Sequence, residues 1–463
     1  MTLMGLVGSP LATARICIII VPAFLLLGYN YLVGASKNHK ATVQGTVVAV
    51  YTLGCLIGSL GVTQLENRLG RRWSLIISAA VATAGLIIQA SSYSLGQLIV
   101  GRVISGIGNG GVNAIVPVWQ SECTKPKSRG KNVVIIGGFI ASGIAVAGWR
   151  EVAWRLPLAI SILFTLPLMT LSKAFLESPL WLISKGNTEE TQAAMSALTG
   201  QVNPVDEILE LQLALQQAPT SERGFLDLLK TGPQRLFYRL CLAIGINFCA
   251  QMTGANVASI LNAGVLIWKI FAASLAYLSV DRSGRKPLFI TACLGMGLSM
   301  AGLAGTVWSI EHRYTFGALV AATFFLFFYM SFFPLGFLGA IFLSSAEIAP
   351  QDLRVHLAAV GTATHWLFNF VRAEITPVAF ATIMYRCYIV YGVIGIFAAV
   401  LVYFLFSETK GRSLEEMDGL FSEPGNWWRV TAYARVREHS APVPEEKGKD
   451  NVERFEGGME ETI

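Results

Sequence analysis

The chain has 463 residues, 53% of them hydrophobic and only 14% charged, with a formal net charge of +6 and a mean hydropathy of +0.55. One soluble core cannot hide that much apolar surface, and the basic residues are scattered between apolar runs instead of gathered in one patch. A soluble enzyme and a nucleic-acid binder are therefore excluded in favour of a membrane protein. The 45 glycines suit close helix approach in lipid, and seven cysteines, an odd number lying mostly in apolar runs, argue against a disulfide framework.

In chain order, the first apolar run, Ile16 to Ala35, is long enough to span a bilayer and lacks a signal-cleavage pattern. A short external loop, Ser36 to Thr42, leads to a second run, Val47 to Leu60, then Asn67-Arg68-Leu69-Gly70-Arg71-Arg72, then a third run from Trp73 to Ala90. Three arginines and a glycine between two apolar runs mark a tight, positively charged cytoplasmic hairpin. The hairpin returns as Asp281-Arg282-Ser283-Gly284-Arg285-Lys286. Glu122 stands seven residues before Arg129, just as Glu347 stands seven before Arg354, and Glu177-Ser178-Pro179 is echoed by Glu408-Thr409-Lys410. Echoes that keep one order are the mark of internal duplication. Two repeats facing each other across a central site are an architecture of secondary transporters.

Two spans of about 20 residues fit into each of six intervals: Arg15 to Glu66, Arg72 to Glu122, Lys131 to Glu177, Arg239 to Asp281, Lys286 to Glu347 and Arg354 to Glu408. The expectation is an all-α transmembrane protein of about twelve helices in two pseudo-symmetric six-helix bundles, residues 1–176 and 237–406, with both termini cytoplasmic. Residues 177–236 read as a cytoplasmic linker with short amphipathic helices such as Asp206 to Gln217. Residues 407–463 read as a cytoplasmic tail, largely disordered after about residue 440, with Trp427-Trp428 placed to rest at the membrane interface. Between Arg239 and Asp281 the fit is tight, leaving spans seven and eight joined by little more than Asn262-Ala263-Gly264.

Four motifs in order carry a family resemblance: Gly101-Arg102-Val103-Ile104-Ser105-Gly106-Ile107-Gly108, Pro117-Val118-Trp119-Gln120-Ser121-Glu122, Gln251-Met252-Thr253-Gly254-Ala255-Asn256, and Ser407 to Glu416 beginning Ser-Glu-Thr-Lys-Gly-Arg. From about Gly28 to Phe421 the chain resembles the sugar porters of the major facilitator superfamily. The stretch Pro334 to Pro377, with Ala346-Glu347-Ile348-Ala349-Pro350 and His365-Trp366-Leu367-Phe368-Asn369-Phe370, is similar to the fungal branch. The resemblance implies the major facilitator fold, with two bundles rocking about a midplane sugar site.

A sugar presents many hydroxyls and flat apolar faces, so amides and an aromatic suit its site. Gln251 and Asn256 match the family's helix-seven sugar contacts; otherwise they are amides bonding between helices. Trp366 matches a family aromatic near the sugar, with a packing or lipid-facing tryptophan as the plain alternative. Phe342 falls where many members place a tryptophan, and an ordinary packing role is an equal alternative. His365 is the titratable group on a site-facing helix. Arg68, Arg71, Glu122, Arg129, Asp281, Arg282, Arg285, Glu347, Arg354 and Glu408 form the expected cytoplasmic gate, pairing between neighbouring helices to close the inner side. The rule that basic residues stay inside explains the arginines but not the repeated glutamates.

Several positions depart from the family pattern. Arg102 lies inside span four, where a charge needs a partner. Proton-coupled relatives supply an aspartate in a Gly-Tyr-Asp sequence on helix one, but here the sequence is Gly28-Tyr29-Asn30. An amide cannot take up and release a proton, so the Asn30 and Arg102 pair points to facilitated diffusion. Ala250, Ile260, Leu261, Asn67 and Leu180 replace polar family residues. Lys173 and Lys269 interrupt apolar runs unless they snorkel to an interface.

The expected protein is a monomeric, multi-pass carrier of a neutral sugar or polyol, in the plasma membrane, with the lipid bilayer and protons as its other candidate partners. No catalytic residue, cofactor, metal or nucleic-acid partner is expected. Alternatives are a proton-coupled symporter, a receptor-like sugar sensor and a truncated, non-transporting relative. Gly106-Ile107-Gly108-Asn109-Gly110-Gly111 superficially matches a nucleotide-binding turn, but it lies inside a span, without the strand such a turn needs.

Overall fold

The computed structural model describes residues 41–124, 155–201, 224–232, 234–254, 263–338, 340–350 and 352–410, a few positions between 204 and 212, and Phe421. Every regular element among them is helical. The helices are α1 (Ala41–Ala90), α2 (Leu95–Glu122), α3 (Arg155–Leu171), α4 (Pro179–Ser184), α5 (Thr188–Thr199), α6 (Leu236–Met252), α7 (Ala263–Ser283), α8 (Arg285–Arg313), α9 (Phe316–Gly336), α10 (Ala340–Glu347), α11 (Arg354–Ile383) and α12 (Arg386–Leu405). Five of the described stretches are long and apolar enough to cross a membrane: Ala49–Ala90, Leu95–Glu122, Arg285–Arg313, Phe316–Glu347 and Arg386–Leu405. The expected first span, Ile16 to Ala35, and the one after Lys131 lie outside the described residues.

Helix α1 is two arms folded about Gly70, whose φ of 84° and ψ of 177° break the helical run. Gly284, between α7 and α8, repeats this with φ 87° and ψ 168°. Both glycines are required twice over. Positive φ is strained for an L side chain, and an added Cβ would lie 2.6 Å from Glu177 Oε2 at Gly70 and 2.5 Å from Glu408 Oε2 at Gly284. The duplicated hairpin is thus a duplicated backbone geometry.

The first arm of α1 packs on α2 through a seam of small residues. A Cβ at Gly58 would overlap the carbonyl oxygen of Ile107, so only glycine lets the backbones meet there. By contrast, α9 and α12 are apolar all round, and they leave Phe324, Val393, Phe397 and Phe404 exposed on the outside, as lipid-facing helices do. The halves meet where α11 lies against α1 and α2, with Val118, Val355 and Ala358 forming a small buried cluster between them.

Two connections are described in part. Helix α6 stops at Met252, with Thr253 as its cap, and α7 begins at Ala263. Helix α6 thus has 17 residues, and Ala263 and Gly264 of the expected Asn262-Ala263-Gly264 joint are already helical in α7, while residues 255–262 lie outside the described residues. In the 177–236 stretch, α4, α5 and a 3-10 turn at Phe225–Leu229 are observed. Asn187 caps α5 by accepting from the Glu190 amide at 3.3 Å, and Gly200 in the left-handed region ends it. Most of the expected run Asp206 to Gln217 lies outside the described residues.

Candidate functional site

Side chains from α6, α10 and α11 converge inside the second half. Gln251, in the last turn of α6, and His365, on α11, are both buried. The Gln251 Nε2 lies 2.9 Å from His365 Nδ1 and 2.8 Å from Nε2, so the amide donates to the unprotonated ring nitrogen. Gln251 Oε1 has no hydrogen-bond partner among the described residues, which leaves an acceptor free for a donor hydroxyl. Phe342 of α10 closes one side, its ring centroid 5.4 Å from that of His365. Trp366 stands edge-on to His365 at 5.5 Å. Asn256 lies outside the described residues.

The first half reaches this cluster through Tyr51 of α1. Its ring meets Trp366 edge to face, with centroids 6.2 Å apart, and its hydroxyl accepts from Asn109 Nδ2 of α2 at 2.9 Å. Arg102, 3% exposed on α2, lies within electrostatic range of Tyr51. No described carboxylate shares that environment; Asn30 lies outside the described residues. Farther along α2, Asn113 is buried with neither amide atom bonded to a described residue. Tyr51, Asn109 and Asn113 were not foreseen. The signal available in the sequence was polar residues in an otherwise glycine-rich span, with Asn109 and Asn113 one helical turn apart on one face.

At the hairpin end the two halves repeat one circuit. Arg71 binds Glu122 through both Nε (3.1 Å) and Nη2 (2.9 Å), and Ser178 Oγ donates to Glu122 at 2.6 Å. In the second half Arg285 Nη2 meets Glu347 at 3.0 Å and Thr409 Oγ1 donates to Glu347 at 2.7 Å. Glu177 accepts from the amides of Arg71 (2.9 Å) and Arg72 (3.0 Å), at the start of the second arm of α1. Glu408 does the same for Arg285 (2.9 Å) and Lys286 (3.1 Å), at the start of α8. Each carboxylate therefore satisfies two orphan amides at a helix N-terminus, where the helix dipole also favours negative charge. Burial pushes the Glu177 carboxyl up from its ordinary value, against the amide bonds from Ser178, Arg72 and Arg71 and the Arg71 charge.

One contact crosses between halves here: Arg354 Nη1 lies 3.9 Å from Glu122 Oε1, both side chains 1% exposed. Glu66, which was not singled out in the sequence, is buried within electrostatic range of Arg71, Glu122 and Glu177. Arg68 stands exposed on the hairpin, with no ion pair to a described residue. Arg129 and the side chains of Asp281 and Arg282 lie outside the described residues. Of the two interrupting lysines, Lys173 is exposed just past α3, whereas Lys269 is 2% exposed and does not snorkel.

The profile of the family described as "Sugar (and other) transporter" matches residues 19–421. The sugar transporter STL1 of Saccharomyces cerevisiae is 29% identical over 87% of this chain and 78% of its own length. The MFS-type transporter oryC of Aspergillus oryzae is 33% identical over 84% of this chain and 78% of its own. Among solved structures, the E. coli proton:xylose symporter XylE bound to 6-bromo-6-deoxy-D-glucose superposes with a TM-score of 0.76 at 22% identity, covering 88% of this chain and 99% of that one. The duplicated hairpins, the paired carboxylate circuits and the all-helical build are thus those of a membrane transporter and not an enzyme: the chain belongs to the sugar (and other) transporter family and has the major facilitator fold.

Proposed function

We propose that this protein moves a sugar or related polyol across the membrane by alternating access and facilitated diffusion, with Gln251, His365, Trp366 and Phe342 forming the second-half wall of the solute site. The observation that carries the reading is the pairing of Gln251 with His365 beside two aromatic rings. A buried amide with a free carbonyl oxygen and a ring nitrogen already engaged is suited to hydroxyls, and the aromatic edges and faces are suited to the apolar side of a sugar ring. Asn256, four residues past the end of α6 in the sequence, belongs to the same proposal, as do two bundles of residues 1–176 and 237–406 joined by a linker, a plasma-membrane location and a monomeric assembly.

The hairpin end, taken as cytoplasmic because of its arginines, is the gate. Glu122 holds Arg71 of its own half and Arg354 of the other, so parting of the halves at this end must break the Glu122 and Arg354 contact. Arg129, Asp281, Arg282 and Arg68 are assigned to the same gate from the sequence repeat. Facilitated diffusion is favoured over proton symport because, among the described residues, Arg102 has Tyr51 and not a carboxylate within electrostatic range, and because the expected helix one carries Asn30.

Purified protein in liposomes tests both parts. Labelled hexose should equilibrate across the membrane, and an imposed inward proton gradient should leave the plateau unchanged. Uphill accumulation driven by that gradient would reassign the protein as a symporter, with His365 the first group to examine.

A further inference from the structure

An amide buried in a membrane protein's interior finds hydrogen-bond partners as a rule, because each donor or acceptor left alone there costs free energy. Asn113, on α2, is 2% exposed, and neither its Oδ1 nor its Nδ2 has a partner among the described residues. No other buried amide among them leaves both polar atoms so. Asn247 and Gln251, on α6, lack a partner only at the carbonyl oxygen, their nitrogens being bonded to Ser345 and His365.

The neighbours of Asn113 on α2 show which way it turns. An added Cβ at Gly106 or Gly110 would run into the backbone of Tyr51 or Cys55 in the first arm of α1, and one at Gly108 or Gly111 into Ala82 or Ser78 in the second arm. Asn109 and Asn113, one turn apart, share the flank of α2 that borders the first arm and faces away from the second. On that flank Asn109 meets the Tyr51 hydroxyl at 2.9 Å, and the Tyr51 ring meets Trp366 of α11 with centroids 6.2 Å apart.

Helix α2 also packs directly on α10, which carries Phe342, and on α11, which carries His365 and Trp366. The heights agree. Glu122 ends α2 and Arg354 begins α11, and the two side chains are 3.9 Å apart. Counted from that contact at the helical rise, Asn113 lies about 14 Å along α2 and His365 about 17 Å along α11. The unpartnered amide of the first half is thus level with the pair formed by Gln251 and His365 in the second.

We infer that Asn113 is the first-half ligand of the solute, opposed to Gln251 and His365, and that it reads two adjacent hydroxyls at once. An amide presents N–H donors and a carbonyl oxygen side by side in one plane. Hydroxyls on neighbouring carbons match it, one donating to Oδ1 while the other accepts from Nδ2. This assignment rests on the carrier reading above and adds the residue by which the first half engages the solute and the hydroxyl pattern it selects.

The test uses the full chain in liposomes with labelled glucose, or labelled sorbitol if glucose does not enter, and the matching series of single-deoxy analogues as competitors. In the parent, two analogues that lack neighbouring hydroxyls should compete worse than the intact solute. Asn113→Ala should raise the KM about tenfold and erase the penalty for those two analogues alone, leaving the penalties at other hydroxyls in place, as a shared bond requires. Asn113→Cys should react with a soluble alkylating reagent, and the solute should slow that reaction. Folding is checked separately: Asn113→Ala removes an unpartnered amide and should melt in detergent no lower than the parent. Uptake with the same KM and the same analogue penalties in Asn113→Ala would overturn the assignment and leave the carrier reading standing. A lowered melting temperature with the analogue pattern unchanged would overturn it too, making Asn113 a structural amide. Absence of flux for every sugar and polyol would remove both readings.

Discussion

Arg354 of the second half approaches Glu122 of the first to 3.9 Å, and Glu122 is already bound by Arg71 at 2.9 Å and by Ser178 at 2.6 Å. One carboxylate therefore serves both the internal bracing of its own bundle and the closure between bundles. The internal bonds are short and hydrogen-bonded, while the contact across the interface is long, an ion pair without a hydrogen bond. That difference suits a gate: the part that must break is the weaker one.

Glu122→Gln should accordingly do two things. It leaves Arg71 and Arg354 buried without their shared anion, and breaking a buried pair from one side costs about 3 to 5 kcal/mol, so the melting temperature should fall. The gate should also loosen. A cysteine placed at Val355, which is buried in the small cluster between halves, should react with a soluble alkylating reagent faster in the Glu122→Gln background than in the parent. An unchanged alkylation rate would mean that the Arg354 contact does not hold the halves together.

The hairpin glycines allow a sharper comparison. Gly70→Ala faces both a positive φ and the Glu177 carboxylate, which is itself tied to two backbone amides and so cannot simply step aside. A loss of about 1 to 2 kcal/mol from the backbone alone is expected, and more once Glu177 is displaced. Gly61→Ala, in the same helix with nothing within 4 Å of its added Cβ, should instead stabilise by up to about 1 kcal/mol, because alanine is the better helix former. Detergent melting curves of the two variants should move in opposite directions.

How much of this was readable in the chain depends on whether a feature is local or assembled. The hairpins, the paired glutamates and the Glu177 and Glu408 echoes were legible because each motif is a few residues long and is repeated, and repetition separates signal from the general abundance of arginine at membrane ends. Gln251, His365 and Trp366 stood out as amides and rings in apolar surroundings. Tyr51 did not, since a lone tyrosine in a span carries no mark of the partner that makes it matter, and Trp366 lies 315 positions away in the chain. Glu66 was passed over as a charge at a helix end, yet it is buried beside Arg71. Helix ends are likewise not written in composition: a span takes about 20 residues, whereas α6 ends after 17, at Met252.

At the solute site, Gln251→Leu should raise the KM for the transported sugar or abolish uptake with little change in melting temperature. It removes the amide that donates to His365 and the carbonyl oxygen with no hydrogen-bond partner among the described residues, and a site built for hydroxyls loses about 1 to 3 kcal/mol for each such bond left unmade. Phe342→Trp, which enlarges a ring 5.4 Å from His365, should shift the preference between sugars more than it shifts the maximal rate. A kinetic series across several hexoses and a pentose would distinguish the two effects. If both variants carried every sugar as the parent does, the site would have to lie elsewhere.

Coupling can be tested by restoring the missing acid. Arg102 is buried in α2 with Tyr51 beside it, and the helix-one position opposite in the family pattern holds Asn30. Asn30→Asp would place a carboxylate where a buried arginine favours its charged form, with desolvation pulling the other way. Facing alternately the two sides as the halves rock, such a group could load a proton from one solution and release it to the other. The variant should therefore show sugar uptake that rises when the outside is acidified, whereas the parent should show none, and Asn30→Ala should behave as the parent does. Adding Arg102→Gln to the Asn30→Asp variant should abolish the gained dependence, because the arginine is what returns the carboxyl to its charged state. Measured proton and sugar fluxes in the same liposomes decide the matter: a parent that already moves protons with sugar would locate coupling in another group and contradict the uniport reading.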